Sequence, residues 1–293
     1  MIRLKLFLRN LARLIRVSKR LSLLSLISLL IFNISGCAPS YPKEKLEESL
    51  INLCKETYNI DVQVKLIGRS IVVFIPLDKI FNSNLDILPE AVSKIENVIL
   101  STSRMLFSTD AKVDFYTIIA ADVKATAAEV ILVRCMDDVY KFMNGWIGRE
   151  EYRKRILWQV NFNAELIKEA PFDFDIEEMT LPKFLAEQIT QRINLSLNSS
   201  VVNKAKVSCT FMEDKDVFFF SLSLRNNQRF NKIYVPIILN MAEQVLAQYK
   251  FSGFKQLIVK NELLRNFVVF EESELKEYRN VDVDELLTLP YYD

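Results

Sequence analysis

Residues 62–77 read VQVKLIGRSIVVFIPL, and this stretch predicts a β-hairpin. Apolar residues alternate with polar ones up to Leu66, Gly68 marks a turn, and a β-branched run follows. Residues 88–107, LPEAVSKIENVILSTSRMLF, then carry apolar residues at helical spacing, and Pro89 suits a first helical turn. A hairpin that leads into a long amphipathic helix favours an α+β fold.

The neighbouring segments extend this pattern in both directions. The periodicity predicts a helix from Leu46 to about Asn59, a second hairpin over 112–121 and 127–134, and a short closing helix over 137–144. Two hairpins joined by a helix can bury their apolar faces together by pairing into one sheet beneath it. Residues 46–144 are therefore predicted to form an α-β-β-α-β-β-α module with a four-stranded antiparallel sheet and a helix across one face.

The same order of elements returns between residues 181 and 280. The predicted elements are a helix over 181–197, strands over 207–211 and 218–224, a helix over 233–249, strands over 256–261 and 266–270, and a closing helix over 272–278. This recurrence predicts two tandem modules, with residues 145–180 as a connector and 281–293 as a loosely docked C-terminal tail. Two unrelated α+β halves are the alternative.

Composition excludes several classes of function. The 293 residues are 50% apolar and include only 5 Gly and no His, which removes Ser-His-Asp and Cys-His catalysis, His-ligated zinc and a His general base. Residues 1–36 hold seven of the 38 bases and no acid, which leaves 31 bases against 37 acids in the remainder. A body with a net charge of −6 has no basic footprint for nucleic acid, so no nucleic-acid partner is predicted.

The N-terminus has the layout of a secretory signal. Residues 1–20 are basic, residues 21–32 (LSLLSLISLLIF) are apolar, and small residues follow. The next four residues, Ile34-Ser35-Gly36-Cys37, resemble the lipobox of bacterial lipoprotein precursors. An uncleaved membrane anchor is the alternative, because residues 21–42 carry no charge.

The lipobox resemblance implies a lipid anchor. In that family the Cys thiol receives a diacylglycerol, a peptidase cuts before the Cys, and the new amine is often acylated. Cys37 would then be the lipidated first residue, residues 1–36 the signal peptide and 37–45 a short lipidated tether to the membrane. Two or three acyl chains hold a protein stably to a bilayer. Ala38 implies sorting to the periplasmic side of the outer membrane if the host has one, since an Asp there commonly marks retention in the inner membrane.

The remaining candidate side chains do not assemble into a motif. Besides Cys37 there are three cysteines, Cys54, Cys135 and Cys209, and no two of them form a C-x-x-C motif. Free thiols are favoured, although an oxidising compartment permits one disulfide. An acidic cluster contains Asp173, Asp175, Glu177 and Glu178. It fails as a calcium loop because Glu178 and Phe184 stand where Gly and Glu are needed.

Two further stretches have a structural interpretation. Residues 149–155 (REEYRKR) predict a solvated helix face with internal ion pairs. Residues 217–220 (VFFF) predict a core strand, which would become a strand-pairing site only at a sheet edge. Gly-rich phosphate loops are absent from the sequence. No catalytic, cofactor-binding or metal-ligating residue is predicted, and no cofactor.

The preferred hypothesis is a non-catalytic, membrane-tethered lipoprotein of the bacterial cell envelope that acts as an adapter or assembly factor for an envelope protein. One alternative is a periplasmic protein that binds a small apolar ligand or lipid between helix and sheet. Another is a hydrolase that uses carboxylates. An exposed apolar patch or open edge strand would favour the adapter, a large apolar cavity the ligand binder, and two facing buried carboxylates the hydrolase.

Overall fold

The computed structural model describes residues 40–124, 128–162, 176–198 and 205–288. The chain is an α+β protein with two mixed sheets. The predicted signal peptide and Cys37 lie outside the described residues. Within the described ranges, no helix has the length and apolar character that crossing a membrane requires.

The first half begins with a docked N-terminal segment and an amphipathic helix. The backbone N–H of Tyr41 donates to the carbonyl oxygen of Ser108 at 3.3 Å, and a 3-10 turn covers Lys43–Lys45. Helix α1 (Leu46–Tyr58) follows, and its residues at positions 46, 50 and 54 are buried at i, i+4 and i+8 spacing. It ends where Asn59 adopts a left-handed conformation with φ of 53°.

The first sheet has five strands in the order β1-β2-β3-β4-β5. Their bounds are β1 Gln63–Ile67, β2 Ser70–Leu77, β3 Phe115–Asp122, β4 Ala128–Cys135 and β5 Leu157–Phe162. Helix α2 (Pro89–Phe107) connects β2 to β3, and helix α3 (Met136–Met143) follows β4. Both predicted hairpins pair as expected, and both helices lie within two residues of their predicted bounds.

The prediction of an antiparallel sheet is wrong at the centre, because β2 and β3 run parallel. Helix α2 has 19 residues and is about 28 Å long, which matches the roughly 26 Å of an eight-residue strand. The helix therefore returns the chain to the end of the sheet at which β2 starts. A strand that starts from there beside β2 has to run in the same direction as β2.

The prediction of four strands is also wrong for the first sheet. Residues 145–180 were expected to be a connector, but they contain helix α4 (Arg149–Lys154) and strand β5. Strand β5 pairs antiparallel with β4, with Leu132 opposite Trp158. The sequence LWQVNF alternates between apolar and polar residues, which is typical of a β-strand. This alternation does not indicate which neighbouring strand it pairs with.

The second sheet has four strands in the order β6-β7-β8-β9, again with a parallel pair in the middle. The bounds are β6 Ser208–Met212, β7 Val217–Leu222, β8 Gln256–Asn261 and β9 Asn266–Glu271. Helix α5 (Leu181–Asn198) precedes this sheet, and helix α6 (Val235–Gln248) connects β7 to β8 after a π-helical turn, Phe230–Tyr234. The VFFF stretch lies in the central strand β7, which confirms its interpretation as a core strand.

The C-terminal part closes over the second core. A 3-10 helix covers Glu274–Tyr278, and helix α7 covers Val283–Thr288. Val283, Leu286 and Leu287 are partly buried against the second core, so this part of the predicted tail packs on the body.

The two halves share buried apolar residues. One core lies between the first sheet and helices α1 and α2. The other lies between the second sheet and helices α5 and α6, and it also includes Phe115, Val133 and Leu157 of the first sheet. The rings of Phe115 and Phe184 are 5.1 Å apart across this boundary. Helix α5 therefore contacts both sheets, and the junction between the halves is a packed interface.

Candidate functional site at the junction and on the second sheet

A buried ion pair joins the two halves. Asp138, in the first turn of α3, accepts a hydrogen bond from Nη1 of Arg155 at 2.7 Å. The hydroxyl of Tyr249, at the end of α6, donates to the other carboxylate oxygen of Asp138. The Asp138 side chain is 2% exposed and that of Arg155 is 8% exposed. No local pattern in the sequence marks this site, because its three residues are far apart in the chain.

Residues around the ion pair extend the hydrogen-bond network. Nε of Arg155 also donates to Glu151 at 2.8 Å. From α5, Nε2 of the fully buried Gln188 donates to the carbonyl oxygen of Arg155 at 2.6 Å. Gln248 of α6 donates to the carboxylate of Glu151. The segment between α4 and β5 is thus bound from both α5 and α6.

Burial and charge determine the protonation states in this network. Burial lowers the pKa of Arg155, but hydrogen bonds to Asp138 and Glu151 outweigh it and raise the pKa above its usual value. Burial and the negative charge of Asp138 raise the pKa of Tyr249, so its hydroxyl stays protonated and remains a donor. Both Asp138 oxygens are therefore occupied, and the near-complete burial of this carboxylate keeps substrates away from it. The network is suited to holding the halves together rather than to catalysis.

An open cleft of about 710 Å³ lies beside the network. Its walls come from both halves and combine apolar, charged and amide side chains: Leu132, Glu150, Glu151, Arg153, Lys154, Ile156, Trp158, Gln191, Arg192, Leu195, Ser196, Met241, Gln244 and Gln248. Trp158 and Leu195 are each about half exposed. Arg192 donates to Gln248 at 2.8 Å, burial lowers its pKa, and its Nε has no partner among the described residues.

The outer face of the second sheet is a second candidate surface. Phe219, Ile258 and Val269 lie side by side on β7, β8 and β9. They belong to none of the buried clusters in the described ranges, and Val269 is 40% exposed. Phe267, which is 63% exposed, lies two residues before Val269 on the same face. Together these four residues form the outer apolar row.

Strand β9 is also an open edge in the part of the chain that the structure describes. The N–H of Glu271 donates to the carboxylate of Glu274 at 2.7 Å rather than to β8. Hydrogen-bonding direction alternates along an antiparallel strand, so the backbone groups of Phe267 and Val269 also point away from β8. The same residues thus present exposed apolar side chains and backbone groups that the sheet leaves available for another strand.

Cys54, Cys135 and Cys209 are free thiols, and none of them lines the cleft or belongs to the outer apolar row. Cys54 and Cys135 are buried, and Cys209 is half-buried on β6. Burial raises the pKa of Cys54 to about 11 and that of Cys135 to about 12, and it also raises the pKa of Cys209. Thiols with raised pKa values carry little thiolate at neutral pH, so these three are poor nucleophiles.

Two of the acidic residues at 173–178 make structural contacts. Glu177 pairs with Lys183 at 2.8 Å, and Glu178 accepts from the backbone N–H of Arg69 at 2.6 Å. Asp173 and Asp175 lie outside the described residues. Over residues 40–124, 128–162, 176–198 and 205–288, no group of three His, Cys, Asp or Glu could hold a metal ion.

The predicted ion pairs of residues 149–155 are present in part. Glu150 pairs with Arg153 on the exposed face of α4, whereas Arg155 turns inward to Asp138.

Comparisons of the chain with protein families, curated proteins and solved structures find no match.

Proposed function

We propose that this protein is a lipid-anchored adapter of the bacterial cell envelope, and that its partner protein binds the second sheet at the edge strand β9. The observation that carries the proposal is the outer apolar row, which coincides with an open strand edge. A partner segment that paired with Phe267 and Val269 would continue the sheet as a fifth strand. Its apolar side chains would extend the row, which is the usual chemistry of strand addition.

The anchor is the second part of the proposal. Cys37 carries the acyl chains, residues 1–36 are removed, and Ala38 directs the protein to the outer membrane in a host with two membranes. The lipobox resemblance supports this assignment, and diacylglycerol with a further fatty acid such as palmitate supplies stable attachment. A non-catalytic role is supported by the way in which Arg155 and Tyr249 occupy the buried carboxylate of Asp138.

We also propose that the two halves are copies of one α-β-β-α-β-β-α unit. The recurrence of element order and of a parallel middle pair supports this relation. Residues 46–144 should superpose on residues 181–278, with the helices of residues 88–107 and 233–249 across equivalent sheet faces. Helices across opposite faces would overturn this part of the proposal.

Val269→Pro tests the strand-addition site with little threat to the fold. Proline removes an N–H that points away from β8, and edge strands tolerate proline where the N–H faces solvent. In cells, cross-linking followed by purification should recover a partner with the wild-type protein and with Val269→Thr but not with Val269→Pro. Leu100→Glu is the matched control, because Leu100 is a similarly exposed apolar residue on α2. Equal recovery with Val269→Pro would refute this binding site.

The open cleft between the two halves, which we call the junction cleft, favours a second candidate function, the binding of a small amphipathic anion. Trp158, Leu195 and Met241 could contact an apolar chain, while Arg192 could pair with an acidic group. In a Trp146→Phe background, titration with a fatty acid should change the emission of Trp158, and Arg192→Gln should weaken binding at least about tenfold. An emission spectrum that does not change with fatty acid would exclude this function.

A further inference from the structure

A cluster of exposed apolar side chains lies on the first half, outside the surfaces described above. Phe107 ends α2, Tyr140 and Met143 lie on α3, and Trp146 follows α3. The ring centroids of Phe107 and Tyr140 are 6.4 Å apart, and those of Tyr140 and Trp146 are 5.6 Å apart in an edge-to-face contact. The exposed fractions are 42% for Phe107, 48% for Tyr140, 68% for Met143 and 67% for Trp146. These four residues form the aromatic patch.

The aromatic patch is next to the point where the N-terminal segment docks. Tyr41 donates its N–H to Ser108, the residue that follows Phe107, and Tyr41 also forms a bridge with Thr109. Cys37 precedes Tyr41 by four residues, so at most about 14 Å of extended chain separates them. An acyl chain on Cys37 would therefore hold the body with this end close to the bilayer surface.

The chemistry of the aromatic patch fits the lipid headgroup region. Trp and Tyr concentrate at membrane–water interfaces, because their rings are apolar while their N–H and O–H groups stay hydrated. Exposed cations, Lys43, Lys45 and Arg104, lie in the same segments, but so do Glu44 and Asp110. Charge is thus mixed, and burial of the apolar rings is the interaction that would favour contact with lipid.

We infer that the aromatic patch inserts into the headgroup region of the bilayer that holds the acyl chains of Cys37. The inference rests on the lipid anchor of the proposed function, and it adds a second, non-covalent contact that fixes how the first half lies on the membrane. One acyl attachment alone lets a body rotate about its tether, whereas an anchor plus an inserted patch restricts it to one face.

The two tryptophans of the chain allow a direct test. The lipidated full-length protein is reconstituted into phosphatidylcholine vesicles whose acyl chains carry bromine close to the headgroups. The Trp158→Phe variant reports Trp146 alone, and the Trp146→Phe variant reports Trp158 as the matched control. Trp146 is two-thirds exposed, so its replacement removes no core contact. Emission from Trp146 should fall at least about twofold and shift to the blue, whereas emission from Trp158, which lies in the cleft between the halves, should fall less.

The mass of the Cys37 peptide separates failure of the inference from failure of the anchor. A mature protein whose Cys37 carries no acyl chains overturns both. A lipidated protein in which bromine does not quench Trp146 overturns the inference alone. Shielding of Trp146 from soluble iodide without quenching by bromine indicates that a protein, such as a second copy of this chain, covers the patch, and this result also overturns it.

Discussion

Removal of the Asp138 carboxylate measures how much the hydrogen-bond network of Asp138, Arg155 and Tyr249, the junction network, contributes to the free energy of unfolding. In Asp138→Ala, Arg155 keeps its charge at 8% exposure but loses its 2.7 Å partner, and the Tyr249 hydroxyl loses its acceptor. Breaking one side of a buried ion pair costs about 3–5 kcal/mol. Arg155 keeps the partly exposed Glu151 as a second partner at 2.8 Å, so the lower end of that range applies. We expect the free energy of unfolding to fall by that amount.

An exposed ion pair with the same geometry serves as the control. Lys55 and Asp61 are also 2.7 Å apart, but their side chains are 51% and 74% exposed. Asp61→Ala should therefore cost less than about 1 kcal/mol. Because the two distances are equal, the difference between the variants reflects burial together with the lost hydrogen bond from Tyr249.

Urea unfolding of the purified full-length protein, followed by circular dichroism, provides the measurement. The double variant Asp138→Ala/Arg155→Met removes the stranded charge and should recover at least about 1 kcal/mol relative to Asp138→Ala. An Asp138→Ala variant as stable as Asp61→Ala would refute the reasoning. So would a double variant less stable than Asp138→Ala.

Three further predictions concern pH, a turn and the anchor. Cys54, Cys135 and Tyr249 have raised pKa values, so above pH 9 the unfolded chain loses protons that the native state keeps. The free energy of unfolding, measured with urea in reductant, should therefore be highest below pH 9 and fall as the pH rises. Each group lowers it by up to about 1.4 kcal/mol per pH unit. In Tyr249→Phe the fall above pH 10 should be less steep. Gly68 and Gly145 have φ of +58° and +71°, but a Cβ would lie 2.2 Å from the Glu178 carboxylate only at Gly68. Gly145→Ala should cost about 1–2 kcal/mol. Gly68→Ala should cost up to about 1 kcal/mol more, because the Glu178 carboxylate has to move aside and give up its hydrogen bond from the N–H of Arg69, and equal losses of thermal stability would contradict this. Cys37→Ser should abolish labelling by a palmitate analogue in cells, and labelling that persists would exclude Cys37 as the lipidated residue.

Local patterns in the sequence determined the individual elements of the fold. Apolar spacing identified α1 and α2, and a positive φ is available to Asn59 at the end of α1 because Asn tolerates the left-handed region. Alternation around Gly68 identified the first hairpin, since a tight turn brings adjacent strands together without any distant partner. The lipobox that ends at Cys37 is likewise read from contiguous residues, and its assignment rests on the sequence.

Tertiary structure decided how those elements combine. The parallel pairing of β2 with β3 depends on the path of α2 across the sheet, and the pairing of β5 with β4 depends on which edge is free. The junction network joins Asp138 to a tyrosine 111 residues away, and β9 is an edge only because of the order of all four strands. Periodicity reports which side of an element is buried, because it reflects only the element's own geometry. It carries no information about which neighbouring element buries that side. The packing of the elements against one another is what creates both candidate surfaces.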